Sequence, residues 1–334
     1  MPFRSGFVCI LGRPNAGKST LLNALVGEKL AIISPKPQTT RNRIQGIVNL
    51  PKGKGKDQGG AQIVLIDTPG VHKPDSSLGR KMMVEVREAL EGCDVVLLIM
   101  DATRKLDRRD EFAIQMLKHS ATKVCLILNK VDLLRGGKGK LLPLIEEYKK
   151  LHSFHEIIPI SALKRDGLDI LLKQVTAALP AGPPLFPEDH ITDQPARFMA
   201  GEIVRERVLI ETEEELPYAT TVIVENFEEG TKLTRISATI YCEREGQKGI
   251  LIGKKGQMLK RIGTSARLQL EHMLGMKVFL ELYVKVQPNW RESRGFVEEL
   301  DWRRQLEHLT EGRLDPTKAL PGNPGRKNIL TNHR

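Results

Sequence analysis

The stretch "GRPNAGKST", residues 12–20, decides the fold of the first half of the chain. It follows the apolar run "FVCILG" (7–12) and precedes a helix-like stretch over 18–27. A glycine-rich turn between a strand and a helix directs its backbone N–H groups inward, where they can bind phosphate oxygens. The spacing G-x-x-x-x-G-K-[ST] therefore predicts a phosphate-binding loop.

Residues within this loop have separate expected roles. Gly12 and Gly17 allow the turn, Lys18 is expected to reach the β- and γ-phosphates, and the Ser19 hydroxyl is expected to bind Mg²⁺. The other residues of the motif are expected to lie around the nucleotide phosphates: Pro14, Asn15, Ala16 and Thr20.

The apolar runs of the first half are continuous rather than alternating, which is typical of strands buried on both faces of a parallel sheet. They are "FVCILG" (7–12), "IVLID" (63–67), "DVVLLIMD" (94–101), "KVCLILNK" (123–130) and "IIPIS" (157–161). Helix-like stretches separate most of them, at 18–27, 78–91, 107–119, 140–151 and 167–178. This alternation predicts an α/β domain with a doubly wound, mostly parallel sheet.

The motif "DTPG", residues 67–70, directly follows the second apolar run. The Asp67 carboxylate can hold the magnesium shell, and the N–H of Gly70 can turn toward a γ-phosphate. Thr68 and Pro69 complete the motif and are expected beside the nucleotide.

The motif "NKVD", residues 129–132, ends the fourth apolar run and predicts which base is bound. Guanine presents two adjacent donors, and the Asp132 carboxylate offers two acceptor oxygens. Adenine has an acceptor and no donor at those places, so the carboxylate selects guanine. Asn129 can bond the ring nitrogen N7 and tether the loops, and the stem of Lys130 can lie over the base.

A fourth motif, "SAL", is expected to close the base pocket, with the Ala162 N–H aimed at the guanine O6. It consists of Ser161, Ala162 and Leu163. Four motifs in this order, each after its own strand, resemble the GTPases of the Ras-type translation-factor class. The resemblance implies that the domain binds GTP and GDP with Mg²⁺ and hydrolyses GTP to GDP and phosphate.

The segment "PKPQTTRNRIQGIV", residues 35–48, separates the first two motifs, and its "QTTR" resembles the Era family of GTPases. A threonine in this segment typically closes on Mg²⁺ when GTP is bound. The position before Arg41 favours Thr40 as the ligand, with Thr39 as the alternative. The metal site is thus expected at Ser19, Thr40 and Asp67, and the catalytic residues are expected to be Lys18, Thr40 and Gly70.

The glutamine that orients the attacking water in Ras-like enzymes is missing. Val71 occupies its place, and a valine side chain cannot hydrogen-bond. Either another group of the chain or a partner must therefore position the water. Asn15 resembles the ligand of an activating K⁺ in related GTPases, and the alternative, a tolerated polar loop residue, is equally open.

The chain changes character at "PAGPPLFPEDHITDQP" (180–195), which holds five prolines in sixteen residues. This composition predicts an extended linker between two domains. We divide the chain into a GTPase domain (1–180), the linker (181–196), a second domain (197–300) and an extension (301–334). The last twenty or so residues lack apolar periodicity, which predicts disorder.

The second half resembles a type II K-homology (KH) domain, with the order β–β–α–α–β after a first helix. The helix is expected over 197–209, the strands over 219–229, 233–245 and 276–287, and two helices on either side of Gly263. In such a domain a G-x-x-G turn joins two helices and clamps single-stranded RNA.

The turn "GKKG", residues 253–256, fits this role, because 246–270 holds six Lys or Arg and no Asp or Glu. We expect RNA contacts from Ile252, Gly253, Lys254, Lys255, Gly256, Lys260 and Arg261. An apolar groove for the bases is expected to include Ile250, Ile252 and Ile262.

A GTPase domain followed by a type II KH domain resembles the Era family over about residues 5–300. The resemblance implies binding to the 3′ end of 16S ribosomal RNA and a role in maturation of the small (30S) ribosomal subunit. We expect a monomeric cytoplasmic protein. Peripheral contact with the inner face of the cell membrane stays open, because the net charge of +11 would also favour an anionic surface.

Three other functions fit parts of the sequence. Enzymes that modify tRNA in this class often carry a C-terminal cysteine, and the tail here has none. A double-GTPase ribosome factor would need a second phosphate loop. A membrane-surface GTPase is the third alternative. The glycine- and lysine-rich stretch at 51–62 departs from the family pattern and is expected to be a mobile hairpin tip.

Overall fold

The computed structural model describes residues 2–34, 36, 39–51, 59–118, 121–134, 137–212 and 216–310, and the description below concerns these residues. They form a six-stranded sheet in the first half and a three-stranded sheet in the second. Most of the stretch expected as a hairpin tip, and the tail after residue 310, lie outside the described residues.

The first sheet has the strand order β2-β3-β1-β4-β5-β6, and every neighbouring pair except β2 with β3 is parallel. Its strands are β1 (Arg4–Leu11), β2 (Ile44–Leu50), β3 (Ala61–Asp67), β4 (Val95–Asp101), β5 (Lys123–Asn129) and β6 (Glu156–Pro159). The predicted α/β class and mostly parallel sheet are confirmed. The antiparallel strand β2 was not predicted.

Helices cover both faces of this sheet, which explains why its strands are apolar without alternation. They are α1 (Lys18–Val26), α2 (Ser77–Glu91), α3 (Arg108–Gln115), α4 (Leu141–Lys149) and α5 (Leu168–Ala178). Every residue of β3 and β4 is buried. One core cluster lies on each side of the sheet, so the loops at the carboxyl ends of the strands are held by a rigid base.

The second half folds as a KH domain, as predicted, with β7–β8 antiparallel and β8–β9 parallel. Its elements are α6 (Ala196–Glu211), α7 (Leu216–Ala219), β7 (Thr221–Glu228), β8 (Leu233–Cys242), α8 (Glu245–Ile252), α9 (Gln257–Leu274) and β9 (Lys277–Val286). Two further helices, α10 (Arg294–Glu299) and α11 (Trp302–Thr310), follow.

The prediction of a helix boundary at Gly263 is wrong. Gly263 lies inside α9, which runs without a break from Gln257 to Leu274. A Cβ at Gly263 would lie 3.4 Å from the Leu282 side chain, so glycine here permits close packing of α9 on β9. The boundary between the two helices lies instead at the G-x-x-G turn.

The proline-rich stretch 180–195 runs along the first sheet without helix or strand of its own. The backbone N–H of Ile47 donates to the carbonyl of Ile191 at 2.9 Å, and the Thr192 hydroxyl donates to the carbonyl of Gln45 at 2.6 Å. These bonds fix the path of the chain beside β2 before it enters α6.

A small apolar cluster joins the two halves of the molecule. Leu78 and Met82 of α2 pack against Trp290 and Val297, which follow the KH sheet. The C-terminal extension adds an ion pair to the same helix, because an Arg303 nitrogen lies 2.9 Å from an oxygen of the buried Glu85. The end of the described chain is therefore anchored on the GTPase domain.

Candidate nucleotide and nucleic-acid sites

The phosphate loop turns tightly between β1 and α1. Gly17 has a φ of 103°, and a Cβ there would lie 2.2 Å from the side-chain nitrogen of Asn129. Glycine is required at this position for both reasons, because an L side chain disfavours the backbone angle and would also clash. The loop is thus shaped by its contact with the base-binding motif.

Lys18 lies under the loop with its ammonium group between two carbonyl oxygens. Its Nζ donates to Gly12 at 3.2 Å and to Arg13 at 3.1 Å. Burial lowers the pKa of Lys18, while the charge of Asp67 acts in the opposite direction. A buried cation held by two neutral acceptors is well placed to bind an anionic phosphate group, because a charged acceptor forms the stronger hydrogen bond.

The three expected metal ligands lie together. The Asp67 Oδ2 atom is 2.8 Å from the Ser19 hydroxyl and 3.0 Å from the Thr40 hydroxyl, and the two hydroxyls are 2.9 Å apart. All three residues are buried. The segment before β2, the helix α1 and the end of β3 therefore bring three oxygens to one point.

This oxygen cluster fits a small divalent cation. The other Asp67 oxygen, Oδ1, is buried without a hydrogen-bond partner among the described residues. Burial raises the pKa of Asp67, with the charge of Lys18 and the two hydroxyl bonds opposing the rise. A bound cation would satisfy the free oxygen and stabilise the ionised carboxylate.

The neighbouring residues have different partners. The carbonyl of Thr39 accepts a hydrogen bond from Arg205, in the KH domain. The hydroxyl of Thr68 donates to the carbonyl of Ile10 at 2.7 Å, which anchors the DTPG turn to β1 and directs this side chain away from the oxygen cluster. Of the two threonines before Arg41, only Thr40 places its hydroxyl beside Asp67.

The DTPG turn packs directly on the phosphate loop. A Cβ at Gly70 would lie 2.7–2.9 Å from atoms of Pro14, and the Val71 N–H donates to the Gly12 carbonyl at 3.0 Å. Val71 is fully buried in the core. Its apolar side chain thus supports the sheet and takes no part in polar contacts at the phosphate side.

The adjacent His72 is a polar residue that the sequence reasoning did not single out. Its Nδ1 lies 2.8 Å from the Gly70 carbonyl oxygen, and its Nε2 is buried without a partner among the described residues. The signal in the sequence that could have identified His72 is its position directly after Val71, which occupies the place of the expected glutamine.

The base-binding motif ties three loops together. The Asn129 side-chain nitrogen donates to the Ala16 carbonyl at 2.8 Å. The Nζ of Lys130 donates to the Asn15 carbonyl at 2.8 Å and to an Asp101 oxygen at 2.7 Å. Asp101, at the end of β4, was missed in the sequence because nothing in its flanks marks it as a partner of Lys130.

One expected donor has another partner. The N–H of Ala162 donates to the Asn129 side-chain oxygen at 2.9 Å, rather than being free for the guanine O6. Asp132 is exposed in the turn after β5, as a carboxylate that reads a base should be. Leu163 is largely exposed, and the Ser161 hydroxyl accepts the N–H of Lys164 at 3.1 Å.

The remaining loop residues line the same edge of the sheet. Asn15 has a φ of 63° and an exposed side chain, and Ala16 is buried beneath it. Thr20, in the first turn of α1, is half-buried. The structure thus brings the first, second and base-binding motifs together at the carboxyl ends of the strands, where ligands of such sheets bind.

The second candidate site is the G-x-x-G turn between α8 and α9. Gly253 has a φ of 71°, and a Cβ there would lie 2.9 Å from the backbone nitrogen of Met258. Lys254, Lys255 and Lys260 are exposed, and no described carboxylate lies within 4 Å of them. This turn presents backbone and uncompensated positive charge to solvent.

Two of the residues expected at this surface behave differently. Ile262 is fully buried in the KH core, so its assignment to an apolar groove is wrong. Arg261 is paired with Glu211, with nitrogen and oxygen 2.6 Å apart. Ile250, which is 54% exposed, and the half-buried Ile252 are the accessible apolar side chains beside the turn.

Two protein-family models match the chain. The first is described as "50S ribosome-binding GTPase" and matches residues 7–130, and the second is described as "KH domain" and matches 215–291. Among curated proteins, the GTPase Era of Ruminiclostridium cellulolyticum is 47% identical over 91% of this chain and 99% of its own length. The GTPase Era of Geobacter metallireducens is 50% identical over 90% of this chain and 98% of its own length.

Solved structures of Era also match this chain over most of its length. A crystal structure of Era in complex with MgGDPNP and nucleotides 1506–1542 of 16S ribosomal RNA superposes with a TM-score of 0.84. The two sequences are 44% identical, and the match covers 90% of this chain and 99% of the Era chain in that structure. A variant of Era from Aquifex aeolicus bound to GDP·AlF4⁻ has the same identity, coverage and TM-score. None of the helices in the described ranges is long and apolar enough to cross a membrane.

Proposed function

Because the chain belongs to the Era family of GTPases, we propose that its KH domain binds the 3′ end of 16S ribosomal RNA and that GTP hydrolysis accompanies maturation of the 30S subunit. The GTPase activity follows from the family and its nucleotide-binding domain. The RNA is the one bound in a solved structure of Era that covers 90% of this chain.

The observation that carries the RNA proposal is the exposed "GKKG" turn. Lys254 and Lys255 lie on the surface between the end of α8 and the start of α9. The first turn of α9 directs further backbone N–H groups toward the same place. A phosphate backbone that approached the two glycines would meet donors and charge, and the apolar side chains beside them would face its bases.

We propose Mg²⁺ as the metal of the nucleotide site, held by Ser19, Thr40 and Asp67. Their oxygens lie 2.8–3.0 Å apart, close to the spacing of about 2.9 Å between adjacent ligands in an octahedral magnesium site. When bound, the ion supplies charge that neutralises the β- and γ-phosphate oxygens.

The chain's own residues supply binding and orientation. Lys18 would exchange its two carbonyl acceptors for phosphate oxygens, and the N–H of Gly70 would bond the γ-phosphate. The remaining expected phosphate-side residues lie in the two turns around them: Pro14, Ala16, Gly17, Thr20, Thr68 and Pro69. Asp132 would read guanine, while Lys130, held by Asp101, would lie over the base.

The attacking water needs a group other than Val71, which is buried in the core. We propose that K⁺ binds beside the phosphates with Asn15 as a ligand, because this exposed side chain projects from a strained point of the loop. An added cation there would stabilise the charge that develops in the transition state. The alternative is that Asn15 is only a tolerated loop residue.

We propose a cytoplasmic protein that acts as a monomer, since one chain carries both sites. The charge of +11 would also attract it to the anionic inner face of the cell membrane. Vesicle co-sedimentation at physiological salt tests this second location. If the protein sediments with anionic vesicles even when RNA is added as a competitor, the result would favour the membrane over the ribosome as its location.

The direct test of the proposed function is RNA affinity, measured by fluorescence anisotropy on the full chain with a GTP analogue. A 16S fragment spanning 1506–1542 is compared with a scrambled RNA at several salt concentrations. We expect preference for the 16S fragment. Lys254→Asp with Lys255→Asp should weaken binding and reduce the salt slope by about one or two phosphate contacts.

A matched variant controls for net charge. Lys149→Asp with Lys150→Asp changes the charge equally at the C-terminal end of α4, away from the turn. We expect it to keep most of its RNA affinity, and both variants should bind GTP like the parent. Equal loss in the two variants would contradict the assignment of the "GKKG" turn.

A further inference from the structure

A cavity of about 50 Å³ lies where the GTPase domain, α6, β7 and the C-terminal helix α11 meet. Neither the nucleotide site nor the "GKKG" turn includes it. The charged side chains that line it are Arg41, Lys81, Arg197, Glu202 and Arg205, and the Trp302 indole lies among them. A water molecule needs about 10–15 Å³ of such space, so this cavity is large enough for several waters or one small polyatomic ion.

Four of these residues carry a buried N–H group with no hydrogen-bond partner among the described residues. The atoms are Nε of Arg41, Nε of Arg197, Nη1 of Arg205 and Nε1 of Trp302. Buried polar groups are almost always paired, because a buried donor without an acceptor loses its hydrogen bond to water and gains none in return. Four unpaired donors around one cavity therefore indicate a missing acceptor.

The three guanidinium groups are held in place by their other nitrogens. Arg41 donates to the Thr220 carbonyl at 2.8 Å, and Arg197 donates to the Glu225 carbonyl at 2.8 Å. Arg205 donates to the Thr39 carbonyl and to Glu202. The unpaired donors are thus on rigid side chains rather than on freely rotating ones.

Positive charge exceeds negative charge around the cavity. Arg41 is 6% exposed and Arg205 is 3% exposed. Burial, with repulsion from Arg205 adding to it, lowers the pKa of Arg41 to about 9, which still leaves it charged at neutral pH. Glu202 pairs with Arg205, and Asp301 lies 3.5 Å from Lys81, which leaves two arginines without a carboxylate partner in this wall.

We propose that this cavity binds a small tetrahedral oxyanion of the inorganic phosphate class. Every unpaired group here is a donor, so the ligand must supply acceptors. Water supplies acceptors but no charge, whereas an oxyanion offers several acceptor oxygens and offsets the excess of arginine. The donors come from three separate elements, which a single tetrahedral ion can bridge.

The location of the cavity connects it to the segment that carries Thr40. Arg205 contacts Thr39, and Arg41 follows the proposed metal ligand Thr40. An anion in the cavity would bind both arginines at once and hold the segment 39–41 against α6. The inference does not depend on which RNA the KH domain binds.

The indole N–H signals of the full chain test the site by nuclear magnetic resonance. A non-hydrolysable GTP analogue and Mg²⁺ are kept saturating, so that the phosphate loop and the γ-phosphate position are both occupied. Inorganic phosphate is added at constant ionic strength, adjusted with sodium chloride. We expect the Trp302 signal to shift and saturate, while that of Trp290, which already donates to the Ala219 carbonyl at 2.9 Å, moves much less. No saturable shift at Trp302 would overturn the proposal.

Paired variants on α6 then locate the ligand. Arg197→Gln removes one donor and one charge and should weaken phosphate binding about tenfold in calorimetry, as expected for one charged hydrogen bond. Arg207→Gln removes a charge from the same helix outside the cavity, where the guanidinium bonds Gln269, and should bind phosphate like the parent. Equal affinities of the parent and Arg197→Gln would contradict the assignment.

Trp302→Phe provides a second, conservative variant. It keeps an aromatic ring beside Phe198, whose centroid lies 5.8 Å from that of the Trp302 ring, and removes the N–H donor together with the five-membered part of the indole. We expect weaker phosphate binding and an unchanged melting temperature without phosphate. Single-stranded RNA added without inorganic phosphate distinguishes the source of the oxyanion, because a Trp302 shift caused by RNA alone would contradict a free ion.

Discussion

The guanidinium group of Arg41 lies over the indole ring of Trp290, with its central carbon 5.3 Å from the ring centroid. Arg41 is part of the segment that carries Thr40, and Trp290 follows the last strand of the KH sheet. The indole N–H in turn donates to the Ala219 carbonyl, beside the Thr220 carbonyl that Arg41 binds. The segment that carries the proposed metal ligand Thr40 is therefore in direct contact with the KH domain.

We expect the bound nucleotide to change RNA affinity through this contact. Coupling between two sites typically amounts to about 5–150-fold. Arg41→Lys keeps the charge but loses the planar fork that binds two carbonyls, so the ratio of RNA affinities with GTP analogue and GDP should fall toward one. Arg43→Lys, in the same segment but paired with Glu85 and Glu88 of α2 rather than with the KH domain, is the control. An unchanged ratio in Arg41→Lys would exclude this route.

The base pocket predicts a specificity switch. Asp132→Asn replaces one acceptor oxygen by a donor, so GTP affinity should fall about 100-fold or more, because one charge-assisted hydrogen bond is lost and two donors then face each other. Affinity for xanthosine triphosphate should rise, because an oxygen replaces the exocyclic amino group of guanine in that base. Competition with a fluorescent nucleotide measures both. Tight GTP binding by the variant would mean that the base pocket lies elsewhere.

The metal cluster distinguishes Thr40 from Thr39. Thr40→Ala removes one of the three converging oxygens and should raise the Mg²⁺ concentration needed to bind a GTP analogue by at least about tenfold. Thr39→Ala should behave like the parent, because only the Thr39 carbonyl has a described contact. Magnesium titrations at fixed nucleotide concentration measure the difference. The reverse order of the two variants would assign the ligand to Thr39.

We expect K⁺ to compensate for part of the catalytic contribution of the missing glutamine. We expect faster GTP hydrolysis by the parent in potassium chloride than in sodium chloride at equal ionic strength, and no difference for Asn15→Ala. Phosphate release under single-turnover conditions is the measurement. Equal rates in both salts for the parent would leave Asn15 as a polar loop residue and would favour a group supplied by a partner.

The nucleotide site was predictable because its motifs combine fixed spacing with a chemical reason for each residue. Gly17 and Lys18 needed no tertiary information. The roles of Asp101 and of the Ala162 N–H did require tertiary information, because their partners depend on how loops from different strands meet. The cavity beside Arg41 and Trp302 was beyond sequence reasoning for the same reason: its walls come from residues that lie far apart in the chain.

The KH domain shows where local patterns mislead. Gly263 was expected to end a helix, yet helix packing against β9 outweighs the low helix propensity of glycine. Ile262 was placed in the RNA groove, but the rotation of α9 directs it into the core. The strand β2 was missed because its residues precede a basic insertion and its pairing with β3 is antiparallel at the sheet edge.

Crosslinking in living cells, followed by sequencing of the bound RNA, tests most directly whether this GTPase acts on the 3′ end of 16S ribosomal RNA. The parent chain should give its main peak within the last nucleotides of 16S RNA, and the variant with Lys254→Asp and Lys255→Asp should lose that peak at equal protein abundance. A main peak in 23S ribosomal RNA or in tRNA, retained by the variant, would contradict the account.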